Sequence, residues 1–427
     1  MRPIFFLSLA ALLLGSRADT TEAEEAALTD PTAECAYFPY APVDNAVSSF
    51  PPTATPVAAI MSGDTAGQAK FDAMKANIPN IAPKGTDGVI DKTIQDGYDH
   101  SDPDCWWTNS LCTTPKLSGL NMDIAVVPEP RTLGYGFDDG PNCSHNAFYD
   151  YLTSKNQKAT MFFIGTNVMN HPLQAIRAVN DGHEICVHTW SHRQMTALTN
   201  EQVFGELWYT MQLIKLITGY TPTCWRPPQG DVDDRVRYIA QQLGLDNILW
   251  KYDADDWMVG AGEATPDQVQ ANYDYLVANV SAGTFDTIGA IFLTHELDNY
   301  TMQTAVDNYP KLAAAFDHIV PVGVAYNKTQ LYVETNFTQP DFAQYVAARG
   351  GSTPSNSSPP SSSGSGNKAV SASTVSSAHG SQSTNKSSAQ DSQSTNKTTG
   401  TSAGVPLWSP LTGFLALVAV AGSFIFL

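Results

Sequence analysis

The stretch of sequence that decides the fold spans residues 131–165 and is RTLGYGFDDGPNCSHNAFYDYLTSKNQKATMFFIG. Its segments TLGYGFDDG, HNAFYDYLTSKNQ and ATMFFIG have the patterns of a strand, a helix and a buried strand, in that order. A strand, a helix and a second strand predict a parallel pair, because parallel strands need a long crossover connection. The first of these strands ends in two adjacent carboxylates, Asp138 and Asp139.

The same alternation continues to about residue 325. Its later segments are HPLQAIRAVNDG (helix), HEICVHTW (strand), NEQVFGELWYTMQLIKLITGY (helix), NILWKYD and TIGAIFLTHE (strands) and HIVPVGVAY. Strands that alternate with helices predict an α/β fold with a parallel sheet, either an open doubly wound sheet or a barrel. In both arrangements functional residues gather at the carboxyl ends of the strands.

Acidic residues and histidines recur at these strand ends, in the segments FDDG, HTWSH, KYDADDW and LTHE, and an arginine follows the long helix in RPPQG. The residues concerned are Asp138, Asp139, His188, His192, Arg226, Asp253, Asp255, Asp256 and His295. Because carboxyl ends of parallel strands meet at one edge of a sheet, we expect a single site there.

His188 and His192, in HTWSH, are candidate metal ligands. On one extended strand they would be ~13 Å apart at ~3.3 Å per residue, too far to share an ion. On a helical turn that begins at His188, the two side chains would be about 5–6 Å apart on one face. We therefore expect a helical turn there, with an aspartate from the neighbouring strand end as third ligand and one position left for water.

Two apolar segments outside this region predict export and anchoring. MRPIFFLSLAALLLGSRA (1–18) has the pattern of a signal peptide that is cleaved near Ala18. Residues 350–401 are rich in Ser, Thr and Asn and predict a disordered, O-glycosylated stalk. Residues 402–427 carry small residues, a spacer and an apolar tail without following basic residues, which is typical of a GPI-attachment signal at Ser402; the alternative is a membrane span.

Export changes the interpretation of the six cysteines, which include no CxxC pair. An even number in an oxidising compartment favours disulfides over a zinc knuckle, and six cysteines allow fifteen pairings, which the sequence leaves open. Cys105 and Cys112 are close enough in sequence to close a small loop. N-glycosylation sequons, expected on exposed loops, begin at Asn142, Asn279, Asn299, Asn327, Asn336, Asn356, Asn385 and Asn396.

The formal net charge is −19, from 23 basic and 42 acidic residues. This excess of acidic residues argues against nucleic acid as a partner, because binding to phosphates requires a cluster of Lys and Arg. It is compatible with a neutral or cationic partner. We expect the protein to act as a monomer.

In this order, FDDGP, HTWSH, RPPQG, DADDW and LTH resemble the five motifs of the polysaccharide deacetylase family, also called NodB-homology domains or carbohydrate esterase family 4. The resemblance implies a distorted (β/α) barrel over residues 129–325, preceded by a loop-rich extension (19–128) and followed by the end of the folded part (326–349). The signal peptide, stalk and anchor signal make the chain most similar to GPI-anchored fungal chitin deacetylases. The resemblance implies hydrolysis of N-acetyl groups in chitin, which gives chitosan and acetate at the cell surface or cell wall.

The family's metal site and base fall on residues of this chain. Asp139, His188 and His192 correspond to the ligands of one divalent ion, for which we expect zinc, with cobalt as the alternative. Asp138 corresponds to the catalytic base and Arg226 to the arginine that pairs with it. The chemistry agrees with these roles, because a bound metal lowers the pKa of water from 15.7 toward ~7 and a carboxylate can accept the remaining proton.

His295 corresponds to the acid that protonates the leaving amine, and Asp256 to the carboxylate that orients it. Gly136 and Gln229 depart from the family pattern, which has Thr or Ser before FDDG and Tyr after RPP. The family residue at position 229 donates its backbone N–H to the oxyanion, so glutamine can serve, but the ring that packs around the acetyl group is missing. Trp257 is the tryptophan we expect to stack on a sugar ring, whereas Trp106, Trp107 and Trp225 fit a core as well.

Two other functions remain open. The same chemistry can act on another acetylated polysaccharide, such as acetylxylan or peptidoglycan. Alternatively, the fold can serve as a non-catalytic cell-wall adhesin or chitin-binding protein, but the presence of both Asp138 and His295 favours an enzyme.

Overall fold

The computed structural model of this chain describes residues 21–350. The predicted signal peptide, stalk and anchor signal lie outside these residues, together with Ser402 and the sequons at Asn356, Asn385 and Asn396. Within residues 21–350, no helix has the length and apolar character needed to cross a membrane.

The sequence-based expectation of a parallel sheet is confirmed. A hairpin of β1 (Gly85–Thr86) and β2 (Val89–Ile90) precedes a nine-stranded sheet. The strands of this sheet are β3 (Val126–Val127), β4 (Thr132–Gly140), β5 (Thr160–Phe163), β6 (Glu184–Val187), β7 (Cys224–Trp225), β8 (Asp246–Asn247), β9 (Tyr252–Asp253), β10 (Gly289–Leu293) and β11 (His318–Val320).

The sheet curls into a distorted barrel. Its strand order is β3-β10-β4-β5-β6-β7-β8, with β9 paired to β10 and β11 paired to β4. All pairs are parallel except that of β3 with β10. The two edges meet at Ile124, whose N–H donates to the Asn247 carbonyl and whose carbonyl accepts from the Leu249 N–H. The fold is therefore the barrel that the motifs implied.

Helices cover the outside of the barrel. The helices of the N-terminal extension are α1 (Glu22–Glu25), α2 (Pro31–Glu34), α3 (Ala41–Ala46), α4 (Thr65–Lys75), α5 (Lys92–Asp96) and α6 (Trp107–Ser110). The helices that follow are α7 (Asn146–Ser154), α8 (Gly165–Asn170), α9 (Pro172–Asn180), α10 (Asn200–Thr218), α11 (Asp234–Gln242), α12 (Trp257–Ala261), α13 (Pro266–Ser281), α14 (Asn299–Ala315), α15 (Val322–Ala325) and α16 (Phe342–Ala348). Short 3₁₀ helices lie at Val47–Ser49, Met195–Ala197 and Pro228–Gly230.

Helix α10 begins where its sequence predicts. Thr199 and Gln202 form a reciprocal capping box, and Gly219 ends the helix with a left-handed backbone (φ 84°) that glycine adopts without a steric penalty. Its buried positions pack on the barrel, and Glu206 is the only charged residue among them. This carboxylate has a task in the site, described below.

One predicted strand is interrupted, and the last segment of the alternation forms a strand only in its first part. NILWKYD is not one strand, because β8 ends at Asn247 and β9 begins only at Tyr252. HIVPVGVAY leaves the sheet at Val320, where Pro321 lacks an N–H for the ladder, and continues as α15.

The N-terminal extension packs directly on the barrel. Its apolar residues Val43, Phe50, Ala58, Phe71 and Met74 belong to the same buried core as the strands. Disulfides join Cys35 to Cys143, Cys105 to Cys112, and Cys186 to Cys224, so the predicted small loop is confirmed. The extension is thus tied covalently to the barrel just after β4.

Candidate metal centre and active site

The adjacent aspartates Asp138 and Asp139 reach the same site because β4 contains a bulge. The register of β4 against β5 shifts between Phe137 and Gly140, and Asp139 has a left-handed backbone with φ 72°. On a regular strand neighbouring side chains point to opposite faces, whereas a bulge redirects one of them. The sequence predicts that both carboxylates lie at the end of this strand, but it gives no signal for the bulge that brings both of them to the site.

Asp139, His188 and His192 come together as one candidate metal-binding group. The Asp139 Oδ1 atom lies 3.4 Å from His188 Nε2 and 3.2 Å from His192 Nε2. The two imidazole rings are 5.0 Å apart between centroids. Asp139 and His188 are buried, while one third of the His192 side chain is exposed, so the group opens to solvent on the His192 side.

The protonation of this group fits a cation. His188 Nδ1 lies 2.8 Å from the Arg226 carbonyl, which can only accept, so Nδ1 carries the proton and Nε2 presents a lone pair toward Asp139. The Asp139 Oδ1 atom is buried and accepts no hydrogen bond from the described residues. Two electron-pair donors that face each other without a proton between them are satisfied by a metal ion.

The charges of the group agree. Burial raises the pKa of Asp139, but attraction by His192, and then by His188 and His295, outweighs it and holds this pKa well below its usual value. Burial lowers the pKa of the His192 imidazole. An ionised carboxylate and neutral imidazoles are the forms that bind metals.

The expected helical turn at His188 is wrong. Residues 188–192 form a loop in which Thr189 and His192 have left-handed backbones, with φ of 66° and 56°. This loop is held by the buried Glu206 carboxylate, which accepts from the N–H groups of Trp190 and Ser191 at 2.9 and 2.8 Å. The two histidines therefore meet through a fixed loop, not through helical spacing.

The buried Asp138 forms an ion pair with Arg226. Its Oδ1 lies 2.6 Å from Arg226 Nη1, and its Oδ2 lies 3.6 Å from His188 Nε2. The guanidinium stacks 3.9 Å from the centroid of Phe162 and donates from Nε to the Ile248 carbonyl at 3.2 Å. Removal of one partner from a buried ion pair destabilises a protein by about 3–5 kcal/mol, so Arg226 fixes the orientation of the Asp138 carboxylate.

His295 lies beside Asp138 through backbone pairing. The Asp138 N–H donates to the Thr294 carbonyl, and the Glu296 N–H donates to the backbone carbonyl of Asp138. Residues 138 and 295 therefore lie side by side in the sheet. The His295 Nδ1 atom is 2.6 Å from Asp256 Oδ1. Burial lowers the pKa of His295, but the charge and hydrogen bond of Asp256 outweigh it and raise this pKa to about 10. His295 is therefore protonated near neutral pH.

The remaining predicted site residues lie outside the metal-binding group. Gln229 is exposed in the 3₁₀ helix, and its side chain accepts from Gln194 Nε2 at 2.9 Å. Trp257 begins α12 directly after Asp256 and is half-buried. Asp253 and Asp255 are not among the metal-binding residues: Asp253 accepts from the Asp255 N–H, and Asp255 accepts from Asn272.

The departure at Gly136 has a steric reason. A Cβ at this position would lie 2.8 Å from the Thr160 carbonyl oxygen and 3.2 Å from the Phe162 ring. The close approach of β5 to β4 thus excludes the usual Thr or Ser. The hydroxyl of Thr294 donates to the Gly136 carbonyl at 2.8 Å, so a threonine still supports this segment from the next strand.

Two other groups of acidic and sulfur-containing side chains lie close together but do not fit a metal. Asp102 lies with Cys105 and Cys112, and Glu184 with Cys186 and Cys224. In both cases the cysteines form a disulfide, so no thiolate is available as a ligand.

The sequons differ in their surroundings. Asn327 and Asn336 are exposed outside the helices, as expected. Asn299 is exposed but begins α14, and Asn279 is half-buried on α13, so neither is on a loop. The Asn142 amide is half-buried and donates to the Leu297 carbonyl at 2.7 Å. The expectation of an exposed loop is therefore wrong for Asn279 in both respects, for Asn299 in its location on a helix, and for Asn142 in its partial burial.

Comparison with known proteins agrees with this arrangement. The family model described as polysaccharide deacetylase matches residues 125–248. Chitin deacetylase 2 of Cryptococcus neoformans var. grubii is 51% identical over 340 residues, which cover 78% of this chain and 74% of that protein. The chitin deacetylase of Amylomyces rouxii is 46% identical over 320 residues, or 73% of this chain and 74% of that one.

A more distant relative acts on a different polymer. A peptidoglycan-N-acetylglucosamine deacetylase of Listeria monocytogenes is 30% identical over 212 residues, which cover 49% of this chain and 42% of that protein. The chain belongs to the polysaccharide deacetylase family. Deacetylases of this family are metal-dependent, and Asp139, His188 and His192 are the candidate ligands in this chain.

Proposed function

We propose that this protein is a chitin deacetylase, which hydrolyses the N-acetyl groups of N-acetylglucosamine residues in chitin and releases acetate. The observation that carries the proposal is the juxtaposition of the Asp139–His188–His192 group with the Arg226-paired Asp138, which is itself level in the sheet with the Asp256-paired His295. The two fungal relatives above, both named chitin deacetylases, cover about three quarters of the chain and support chitin over peptidoglycan as the substrate.

The metal group is proposed to hold one divalent ion, most readily zinc. A carboxylate with two neutral imidazoles suits zinc, and cobalt is the expected substitute. When bound, the ion supplies Lewis-acid polarisation of the acetyl carbonyl and activation of water. The ionised Asp139 and the Nδ1-protonated His188 are already in the forms that binding requires.

Asp138 and His295 are proposed to divide the proton transfers. Asp138, oriented by Arg226, accepts a proton from the attacking water. His295, kept protonated by Asp256, donates a proton to the nitrogen of the glucosamine that leaves, because an amine leaves poorly as an anion. The Gln229 N–H is proposed to donate to the oxyanion, and Trp257 to stack on a sugar ring.

We further propose that the protein is exported, acts at the cell surface as a monomer, and is attached to the plasma membrane by a GPI anchor at Ser402. The support is the composition of residues 1–18, 350–401 and 402–427. The stalk would give the catalytic barrel access to wall polysaccharide.

The function is tested by product analysis. Purified protein is incubated with chitin oligomers, acetylxylan and peptidoglycan, and acetate is quantified together with free amines. The expected result is acetate and newly formed amino groups of the oligomer in equal amounts. Acetate from acetylxylan alone would instead indicate a deacetylase of another polysaccharide. Binding to chitin without release of acetate would indicate a non-catalytic chitin-binding protein.

A further inference from the structure

The loop that carries Gln229 has a strained backbone. Gln229 (φ 55°, ψ 18°) and Gly230 (φ 69°) are consecutive left-handed residues. A non-glycine residue in this region costs on the order of 1 kcal/mol or more and persists only where the surroundings impose it. Among residues 21–350, no acceptor takes the Gln229 N–H, which leaves this donor free for a ligand.

The N-terminal extension packs against this loop through Trp107. A Cβ at Gly230 would lie 2.2 Å from Cζ3 of Trp107 and 2.3 Å from its Cε3, so the indole ring rests directly on the glycine. The backbone N–H of Trp107 also donates to the Val232 carbonyl at 3.0 Å. The ring also packs on Trp250, with 4.8 Å between centroids. The indole thus contacts both the Gln229 loop and the chain that follows β8.

The same segment is anchored to the buried Asp231 carboxylate. Asp231 Oδ1 accepts from Trp106 Nε1 at 2.8 Å and from the Thr108 hydroxyl at 2.6 Å. Its Oδ2 accepts from the Thr196 N–H at 2.7 Å. One carboxylate therefore joins the Gln229 loop to the extension and to the chain that follows His192. The Cys105–Cys112 disulfide closes the extension segment that supplies Trp106 and Thr108.

A second path leads from the extension to the Gln229 side chain. The Ile90 N–H of β2 donates to Gln194 Oε1, and Gln194 Nε2 donates to Gln229 Oε1, both at 2.9 Å. Backbone and side chain of Gln229 are thus held from two separate parts of the extension.

We propose that the disulfide-closed segment Cys105–Cys112 is a positioning element of the active site, in which Trp107 and Thr108, acting through Gly230 and Asp231, hold the Gln229 N–H aimed at the reacting acetyl group. This inference rests on the proposed function for the meaning of the Gln229 N–H. It assigns the N-terminal extension a part in the reaction beyond the stability of the fold.

The test compares two tryptophans that both join the extension to the barrel. Trp107→Leu removes the ring from Gly230, and Trp107→Phe retains an aromatic ring there. Trp208→Leu is the matched control, because Trp208 is also half-buried and contacts the extension at Asp64 through a 3.0 Å hydrogen bond. Rates on chitin oligomers and hydrogen–deuterium exchange of residues 226–232 are measured for each full-length protein.

For Trp107→Leu, kcat should fall at least about tenfold, toward the ~10²–10³-fold loss typical of a missing oxyanion donor, while KM changes less than about threefold. Trp107→Phe should remain within about threefold of the wild type. Amide exchange in 226–232 should increase in Trp107→Leu but not in Trp208→Leu. Equal losses of kcat and equal exchange in Trp107→Leu and Trp208→Leu would overturn the proposal.

Thr108 provides a second pair of variants that preserves the core. Thr108→Val removes the hydroxyl donated to Asp231, and Thr108→Ser keeps it. A kcat for Thr108→Val about threefold or more below that of Thr108→Ser supports the proposal, and equal values contradict it even if Trp107→Leu does not fold. A wild type without activity would instead refute the proposed function, and the exchange measurement would still decide whether the extension holds the loop.

Discussion

The carboxylate of Asp256 holds His295 at two points: Oδ1 lies 2.6 Å from the ring Nδ1, and Oδ2 accepts from the backbone N–H at 3.1 Å. The same Oδ1 accepts from the Trp257 N–H at 3.0 Å, so the carboxylate is itself fixed at the start of α12. Fixed in this way, Asp256 sets both the orientation of the imidazole and its charge. A histidine that must protonate a leaving amine is thereby kept charged at neutral pH.

The pH dependence of turnover should reflect this pair. His295 has a pKa raised to about 10, so it is charged below that pH and loses its proton as the pH rises through it. Turnover should therefore decline on the alkaline side. Asp256→Asn removes the largest attraction on the His295 imidazole, whereas burial, which lowers the pKa of His295, remains, so the alkaline limb should move to lower pH. A kcat–pH profile of Asp256→Asn with an unmoved alkaline limb would show that another group controls it.

The two adjacent aspartates should separate in their metal content. Asp139 Oδ1 faces both imidazoles, whereas Asp138 is paired with Arg226, so Asp139→Asn should bind metal weakly and Asp138→Asn should retain it. Loss of a ligand carboxylate removes a negatively charged donor from the metal. Metal per protein, measured by mass spectrometry after dialysis, checks this. Loss of metal from Asp138→Asn and not from Asp139→Asn would reverse the two assignments.

Removal of the metal should abolish activity reversibly. Chelation followed by dialysis should leave a folded protein without acetate release, and added Zn²⁺ or Co²⁺ should restore it. His188→Ala should not be restored, because the remaining Asp139 and His192 offer too few ligands for a tight site. Full activity of metal-free His188→Ala would end the idea of a metal-dependent reaction in this protein.

The anchor at Ser402 remains a prediction from composition. Phosphatidylinositol-specific phospholipase should release the protein from membranes of cells that express the full chain. A variant in which the small residues at 400–404 are replaced by bulky ones serves as the control, since it should not acquire the anchor. A wild-type protein that stays in the membrane fraction and retains the peptide 405–427 would instead indicate a membrane span.

Much of the barrel could be predicted because its signals are local. Each of the segments 132–140, 160–163 and 184–187 forms a strand where the alternation of strands and helices predicts one, and the capping residues of α10 mark the start of that helix. The carboxyl ends of parallel strands lie at one edge of the sheet. Motifs that are distant in sequence could therefore be assigned to one site, and the candidate metal ligands could be predicted from the sequence. The pairing of Arg226 with Asp138 and of Asp256 with His295, implied by the family resemblance, has the geometry these roles require.

The parts that could not be predicted depend on contacts distant in sequence. The loop at 188–192 needs Glu206 to satisfy its N–H groups, and a single buried glutamate on an apolar helix face was the only signal for it. The bulge at Asp138 arises from pairing with β5. Trp107 and Asp231 are separated by more than a hundred residues, so no local pattern relates the extension to the Gln229 loop.

The most direct test of the central claim is the rate of acetate release from a chitin oligomer by Asp138→Asn and wild type at equal zinc content. An amide cannot accept the proton that the carboxylate does, so kcat of the variant should fall by at least the ~10²–10⁴-fold expected for a general base, with little change in KM. A zinc-loaded Asp138→Asn that releases acetate at the wild-type rate would contradict the assignment of this cluster as the active site.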